Sequence, residues 1–352
     1  MLKVGIIGAG GYTGAELVRL TYAHPELELE LVAAREKAGK RLGEVLPSVL
    51  GVKALEDRLL ETFDPEQAVA LKSRIDVAFL ALPHGASARA GKALFDAGIQ
   101  VVDLSADFRL KDAEAYRRTY AEHPAPELLR TAVYGQPELH RDELRDAKLI
   151  AAPGCHVTTA LLPLAPLLKA KLIDPNGIVI DSKTGVSGGG RSPAPAYHFP
   201  EASEGTRPYA VGGKHRHIPE IEQELSRAAG TEVRVSFTPS LVPMTRGILS
   251  SSYARALPGV DEDACRRAAN ELYGESPLVS VLPPGVWPDT LWVRGSARAM
   301  VNYAFDARTS TVTAFGVTDN LTRGASAQAI QAFNLSRGWK ETLGLPELAL
   351  FP

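Results

Sequence analysis

Residues 150–168, IAAPGCHVTTALLPLAPLL, carry Cys155, one of only two cysteines in 352 residues. Cys155 follows a Pro153-Gly154 turn and opens a run with helical spacing, Ala160, Leu161, Leu164 and Leu168. A thiol at a helix N-terminus sits at the positive end of the peptide dipoles, which favours the thiolate and suits a nucleophile. The competing reading is a buried inert cysteine, the commonest fate of a free thiol. Cys265, inside DEDACRRAANELY, reads as that kind. Pro163 and Pro166 predict a short first turn or a kinked helix, because proline removes a helix N–H.

A nucleophilic thiol needs a proton partner. The segment Gly212-Gly213-Lys214-His215-Arg216-His217 precedes IPEIEQEL, which reads as a helix start. In an extended segment His215 and His217 share one face. His217, nearer the helix, is the preferred acid–base, with His215 binding or supporting. His156 adjoins Cys155, but neighbouring side chains on a helix diverge. A solvated loop or a metal site are the alternatives. A zinc site needs more well-spaced ligands than this sequence offers, so no metal is expected.

A second constellation lies at the N-terminus. GAGGYTG (8–14) follows the apolar run LKVGIIG and opens a helical stretch. Gly8, Gly11 and Gly14 recur every third residue, with Gly10, Tyr12 and Thr13 between them. Thr13 stands where the G-x-G-x-x-G pattern has its last glycine. Glycines there permit a tight turn and the approach of backbone N–H groups to a pyrophosphate. The plainer alternative is a structural turn packed on a sheet.

The next strand ends in Ala33-Ala34-Arg35, with Lys37, Lys40 and Arg41 nearby. A guanidinium there suits a 2′-phosphate and favours NADP over NAD, with Glu36 as the competing ribose partner. Pro83, His84 and Gly85 follow a third apolar run, and Ser105 a fourth, where a cofactor would pass in a parallel sheet. Arg109, in DLSADFRL, could clamp an anionic substrate. SGGGRS offers Ser187, Gly188 and Arg191 as a second anion cradle. Both arginines could equally be structural ion pairs.

A dinucleotide site with a cysteine nucleophile restricts the chemistry. Hydride transfer needs an electrophilic carbonyl, which a thiolate supplies as a thiohemiacetal or thioester. The natural reaction interconverts an aldehyde and an activated acid.

The elements that must position these groups are legible. Residues 2–8, 27–34, 76–83, 99–105 and 148–153 read as five strands, with helices over 12–23 and 86–97. Alternating strands and helices imply an α/β, Rossmann-type doubly wound parallel sheet. After residue 168 the longer period-two runs 177–187, 231–241, 246–257, 297–307 and 311–319 suggest a second α+β domain with a mixed or antiparallel sheet. A late helix covers 325–338, and the longest irregular segment is 185–216. Length suggests two domains. A net charge of -2 and 45% hydrophobic residues favour neither nucleic acid nor membrane as partner. Two cysteines make no disulfide framework and fit a reducing cytoplasm.

GAGGYTGAEL, LPHG, DLSADFRL, VYGQPEL, PGC, SGGGR, GGKHRHIPEIEQEL, TPSLVPMTRGIL and DNLTRGASAQAIQAFNL together resemble the N-acetyl-gamma-glutamyl-phosphate reductase family, in matching order and almost end to end. The resemblance implies NADPH-dependent reduction of N-acetylglutamyl 5-phosphate to the semialdehyde, a step of arginine synthesis, through a thioester on Cys155. It implies that Asn320 and Gly324 return toward the cofactor. The following helix would then join the first domain: 1–152 plus about 320–352 against 153–319. It also implies a homodimer or homotetramer. Three features depart from the family. His156 and Val157 stand where an aromatic residue and a proline are common, Gln136 replaces a usual hydrophobic residue, and GVWPDTLWVRGSARAMVNY is unfamiliar. The rival substrates are carrier-protein-linked aminoadipyl phosphate and aspartyl phosphate. Rivals of other classes are a non-catalytic dinucleotide-binding sensor and a cysteine hydrolase.

Overall fold

The computed structural model describes residues 1–351, which form two compact units. The first comprises Met1–Pro153 and Ala325–Leu345; the second comprises Gly154–Gly324 and the residues from Pro346 onward.

The first unit runs β1 (Leu2–Ile7), α1 (Tyr12–Ala23), β2 (Leu27–Ala33), β3 (Val77–Leu80), α2 (Ala86–Asp96), β4 (Gln100–Asp103), β5 (Val133–Tyr134), α3 (Pro137–Leu144) and β6 (Leu149–Ala151). Its sheet has the order β2-β1-β3-β4-β6-β5, and every neighbouring pair is parallel. β3, β4 and β6 are buried at every position, which is why they read as unbroken runs rather than alternations. The chain leaves β1 for β2 on one side and returns to β3 on the other, so the glycine turn after β1 sits at the reversal of strand order. The strand read over 148–153 is sixth in chain order rather than fifth, because β5, at two residues, is too short to show a period.

The second unit contains α4 (Cys155–Lys169), β7 (Ile178–Thr184), β8 (Arg207–Pro208), α5 (Ile218–Ala229), β9 (Val235–Leu241), β10 (Ile248–Arg255), α6 (Glu262–Tyr273), β11 (Val279–Val281), β12 (Ala299–Asp306) and β13 (Thr311–Thr318). They build a mixed sheet, β11-β12-β13-β10-β7-β9-β8. Its β7–β9 and β11–β12 pairs are parallel and the other pairs antiparallel. α4 is buried from His156 to Leu168 and packs on β10, β13, α5 and α6.

Neither Pro163 nor Pro166 breaks α4. Each proline deprives the carbonyl four residues earlier of its usual donor. Leu162 O, freed by Pro166, accepts the Tyr273 hydroxyl at 2.7 Å. Thr159 O, freed by Pro163, faces Gly316 of β13 so closely that any side chain there would overlap it. The helix continues because α6 supplies one partner and β13 lets its backbone approach the other carbonyl.

α7 (Ala327–Ser336) belongs to the first unit. Phe333 meets Phe79 edge-on at 5.7 Å, Gln100 Nε2 donates to Ser336 Oγ at 2.9 Å, and His24 pairs with Asn334 at 3.1 Å. The returning segment is shorter than the expected 320–352. Residues up to Gly324 and from Pro346 onward group with the second unit. There Ala297 N–H donates to Pro346 O and Leu350 N–H to Arg294 O, both at 2.8 Å. Among the described residues, no helix is long and apolar enough to cross a membrane.

Candidate active site

In the second unit, Cys155 is the first residue of α4, capped by Gly154 in an extended conformation (φ −69°, ψ 147°). Gly154 N–H donates to Glu220 Oε1 at 3.0 Å. Glu220 is buried in the first turn of α5, so a carboxylate from a second helix fixes the turn that presents the thiol. Thr159 Oγ1 donates to Cys155 O at 2.8 Å and lies 2.6 Å from Thr318 Oγ1, tying the first turn of α4 to the end of β13. The two cysteines differ in setting. Cys155 is partly exposed, whereas Cys265 is buried and its thiol is pushed up to about 12, by burial first and then by Asp261.

His217 caps α5, its carbonyl accepting Ile221 N–H at 2.9 Å. Its own N–H donates to His215 Nδ1 at 3.1 Å, and the two rings lie 4.8 Å apart. They meet across a turn closed by Ile218 N–H to His215 O at 3.1 Å, not on one face of an extended segment. His156 joins them, 5.5 Å from His215 and 5.8 Å from His217. Its Nδ1 is 2.7 Å from Ser182 Oγ of β7 and its Nε2 is 2.8 Å from the Tyr209 hydroxyl. Burial, then the neighbouring His215, lowers His156 to about 3. Burial, then Arg216, lowers His215 to about 4. Both are therefore neutral near pH 7. The Tyr209 phenol is pushed above its ordinary value, by burial first and next by the negative charge of Cys155.

The 187–191 turn is held by its own amides. Ser187 N–H donates to Thr245 O at 3.2 Å, Gly188 N–H to Gly185 O at 3.2 Å, and Gly190 N–H to Ser187 O at 3.1 Å. These three donors are thus engaged internally, unlike the open cradle expected there. Gly189 lies flat under the Tyr197 ring, while Arg191 is exposed. Asn320 bonds within this unit: its Nδ2 donates to Ser187 Oγ at 2.9 Å and its Oδ1 accepts Gly247 N–H at 2.8 Å. Gly324 packs on Cys155 itself.

In the first unit, the glycine turn fits a bound dinucleotide. Gly8 has φ +101°, and a side chain there would overlap Ala81 O. A side chain at Gly14 would overlap Gly8 O. Gly11 caps α1 and has open space around it, and no side chain among the described residues caps that helix. Its first amides suit a pyrophosphate. Tyr12 is exposed there, and Thr13 O accepts the Ser326 hydroxyl at 3.1 Å. Arg35 is exposed on a short turn after β2. Lys37, two residues on, reaches back to donate to Gly10 O at 3.1 Å.

At the opening of α2 the amides are already taken. Asp107 Oδ2 accepts Gly85 N–H at 2.8 Å and Ala88 N–H at 2.7 Å, with Gly85 at φ +74°. This leaves the end of β3 as a shaped turn rather than an anion site. Pro83 and His84 are exposed on it, with His84 Nδ1 accepting Ala106 N–H at 3.2 Å. Ser105 is buried, its hydroxyl donating to Asp103 Oδ2 at 2.7 Å and accepting Asp107 N–H at 3.0 Å. Burial, then Asp107, raises the Asp103 carboxyl to about 6. Arg109 is buried and holds two main-chain carbonyls, Ala152 O at 2.7 Å and Leu104 O at 2.8 Å. It braces the ends of β4 and β6 instead of standing open as a fork.

Sequence reasoning thus missed His156, Ser182, Tyr209, Glu220, Lys37 and Asp107. A signal existed only for His156, which was set aside because it diverges from Cys155. The divergence is what sends its imidazole toward β7.

Residues 3–147 match the semialdehyde dehydrogenase NAD-binding domain, and residues 155–320 match the semialdehyde dehydrogenase dimerisation domain. A Moorella thermoacetica protein named N-acetyl-gamma-glutamyl-phosphate reductase is 46% identical over 353 residues, spanning 100% of both chains. One of the same name from Geobacter sp. (strain M21) is 46% identical over 352 residues, again spanning 100% of both. Among solved structures, an aspartate semialdehyde dehydrogenase from Candida albicans, solved with NADP, has a TM-score of 0.71 at 17% identity, covering 96% of this chain and 99% of that one. An aspartate semialdehyde dehydrogenase II from Vibrio cholerae has a TM-score of 0.69 at 17% identity, covering 95% and 98%. At that identity the likeness is one of fold.

Proposed function

This chain belongs to the semialdehyde dehydrogenase family, among the N-acetyl-gamma-glutamyl-phosphate reductases, and we propose that it reduces N-acetyl-L-glutamyl 5-phosphate to N-acetyl-L-glutamate 5-semialdehyde with NADPH, releasing phosphate. The observation that carries the reading is Cys155 at the N-terminus of α4, with His156, His215, His217 and Tyr209 clustered in the same unit.

The Cys155 thiolate attacks the acyl carbon. The carbon–oxygen bond to phosphate breaks, phosphate leaves with the electron pair, and a thioester remains on Cys155. When bound, NADPH supplies the hydride that takes the thioester to the aldehyde level. His217, held at the head of α5, moves the proton: it takes the thiol's proton in the first half and serves the collapsing thiohemiacetal in the second. His215, neutral near pH 7, fixes the His217 turn by accepting its N–H. Ser187, Gly188 and Arg191 are the groups this unit offers the substrate's charged end. The turns at 8–14 and 83–85 carry the cofactor, with Arg35 and Lys37 as the cations for a 2′-phosphate. The dimerisation-domain match supports a homo-oligomer, a dimer or tetramer, and two unpaired thiols suit a reducing cytoplasm.

The test runs the reaction in reverse: phosphate-dependent reduction of NADP by N-acetylglutamate semialdehyde, comparing wild type with Cys155→Ser. Turnover by wild type, with loss of nearly all of it in a variant that still binds NADPH, supports the reading. Turnover with the aspartyl or carrier-linked aminoadipyl compound instead moves the substrate. NADPH binding with no turnover of any of them leaves a sensor.

A further inference from the structure

We propose that His156 is a positioning residue for the thiol: held between Ser182 and Tyr209, it presents the Tyr209 hydroxyl to Cys155 as a hydrogen-bond donor. This rests on Cys155 being the nucleophile, and it adds a group that the reaction as written does not use.

The geometry carries the inference. Both imidazole nitrogens of His156 lie at hydrogen-bond distance from hydroxyls, 2.7 Å to Ser182 Oγ and 2.8 Å to Tyr209. A neutral imidazole has one donor and one acceptor, whereas each hydroxyl can take either part. When Ser182 O–H donates to Nδ1, Nε2–H donates to the Tyr209 oxygen, and the phenol proton is directed onward. The onward partner is a charge. Cys155, when ionised, acts electrostatically on that phenol, so the two are close. A phenol O–H aimed at a thiolate stabilises it, as a donor to an ionised acceptor.

The ring is fixed from every side. His215, His217 and Phe237 surround it at 5.5, 5.8 and 5.6 Å, and His156 is 3% exposed. The titratable and charged groups facing it are Cys155, Tyr209, His215 and His217, with Arg216 acting through His215. A proton added to His156 would meet His215 and would remove the acceptor that Ser182 serves. His156 therefore orients the phenol and does not itself carry protons.

The test alkylates the full-length protein with iodoacetamide from pH 5 to 9 and reads the rate at Cys155 by mass. Buried Cys265 stays silent. His156→Phe is expected to slow alkylation at pH 7 about tenfold and to move its pH midpoint up by about one unit. Tyr209→Phe should do the same, and the double variant should be no slower than either single one, because both act through one hydroxyl. His156→Gln, whose amide N–H can replace Nε2–H, should recover most of the rate. Losses that add in the double variant overturn the proposal, as does a His156→Phe or Tyr209→Phe protein that alkylates like wild type. Should His156→Phe not fold, His156→Gln and Tyr209→Phe still decide it. The readout needs no substrate: the alkylation pattern with no N-acetylglutamate semialdehyde turnover supports this inference while the substrate assignment fails.

Discussion

Gly324 lies against the residue that bears the thiol: a methyl group on its Cα would stand 2.8 Å from Cys155 Cβ and 3.2 Å from Asp319 O. The turn is pinned by Gly324 N–H to Asp319 O at 2.8 Å, so it has little room to retreat. Gly324→Ala should therefore displace Cys155. Overpacking of this kind costs about 1–3 kcal/mol, and a shift of about 1 Å at a reacting group costs about 100-fold in rate. Turnover and thermal midpoint measured together test this. A variant with wild-type kcat would show that this contact does not set the position of the thiol.

Glu220 is the second support of that thiol. Glu220→Ala removes the acceptor of the buried Gly154 N–H, an expected loss of about 1–3 kcal/mol in urea unfolding. Glu220→Gln keeps a carbonyl acceptor and should lose less than half as much. Equal losses in the two variants would mean that the charge, and not the hydrogen bond, holds the turn.

Acid should weaken the second unit through its histidines. His156 and His215 have folded values near 3 and 4, below the ordinary value of 6.5. The unfolded chain therefore binds protons that the folded chain refuses. Their contribution is present above pH 6.5 and is lost as pH falls, by up to about 1.4 kcal/mol per pH unit per group. Asp103 has the opposite sign: its carboxyl is raised to about 6, so its contribution is present at low pH and is lost as pH rises through 6. Comparing wild type with His156→Gln isolates the histidine. Urea midpoints from pH 7 to 4.5 should fall less steeply in the variant. Parallel slopes would show that His156 does not resist protonation in the folded state.

Tyr273→Phe tests the account of α4. The Leu162 carbonyl would lose its donor beside Pro166, at an expected cost of about 1–2 kcal/mol. Alkylation at Cys155 should not change, since the affected carbonyl lies two turns along the helix from the thiol. An unchanged unfolding midpoint would remove the hydroxyl from the explanation of how this helix tolerates its prolines.

What could be read from the sequence was local. The glycine turn declares itself because Gly8 must adopt a positive φ against Ala81, and a buried parallel strand such as β3 has nowhere to place a polar residue. The start of α4 could be placed from Gly154. Its passage through two prolines could not, since the relief comes from Tyr273 and Gly316, far along the chain. The same holds for the site. Cys155, His215 and His217 are marked by spacing, but Ser182, Tyr209 and Glu220 matter through partners on other elements. Arg109 misled for a related reason: its setting in DLSADFRL says nothing of the Leu104 and Ala152 carbonyls it holds.

α7 completes a sheet layer whose strands were made at the other end of the chain, with Phe333 on Phe79, Ser336 on Gln100 and Asn334 on His24. During synthesis, β1 to β6 leave the ribosome long before that helix exists. Until translation is nearly finished, the nascent first unit exposes the side of Phe79 and Gln100 that α7 will cover. The second unit has all of its strands and helices by Thr318 and can settle earlier. A ribosome that stalls just short of Ala327 would release a chain with a finished second unit and an unfinished cofactor-binding unit. Such a fragment would be a substrate for chaperones and proteases rather than for NADPH.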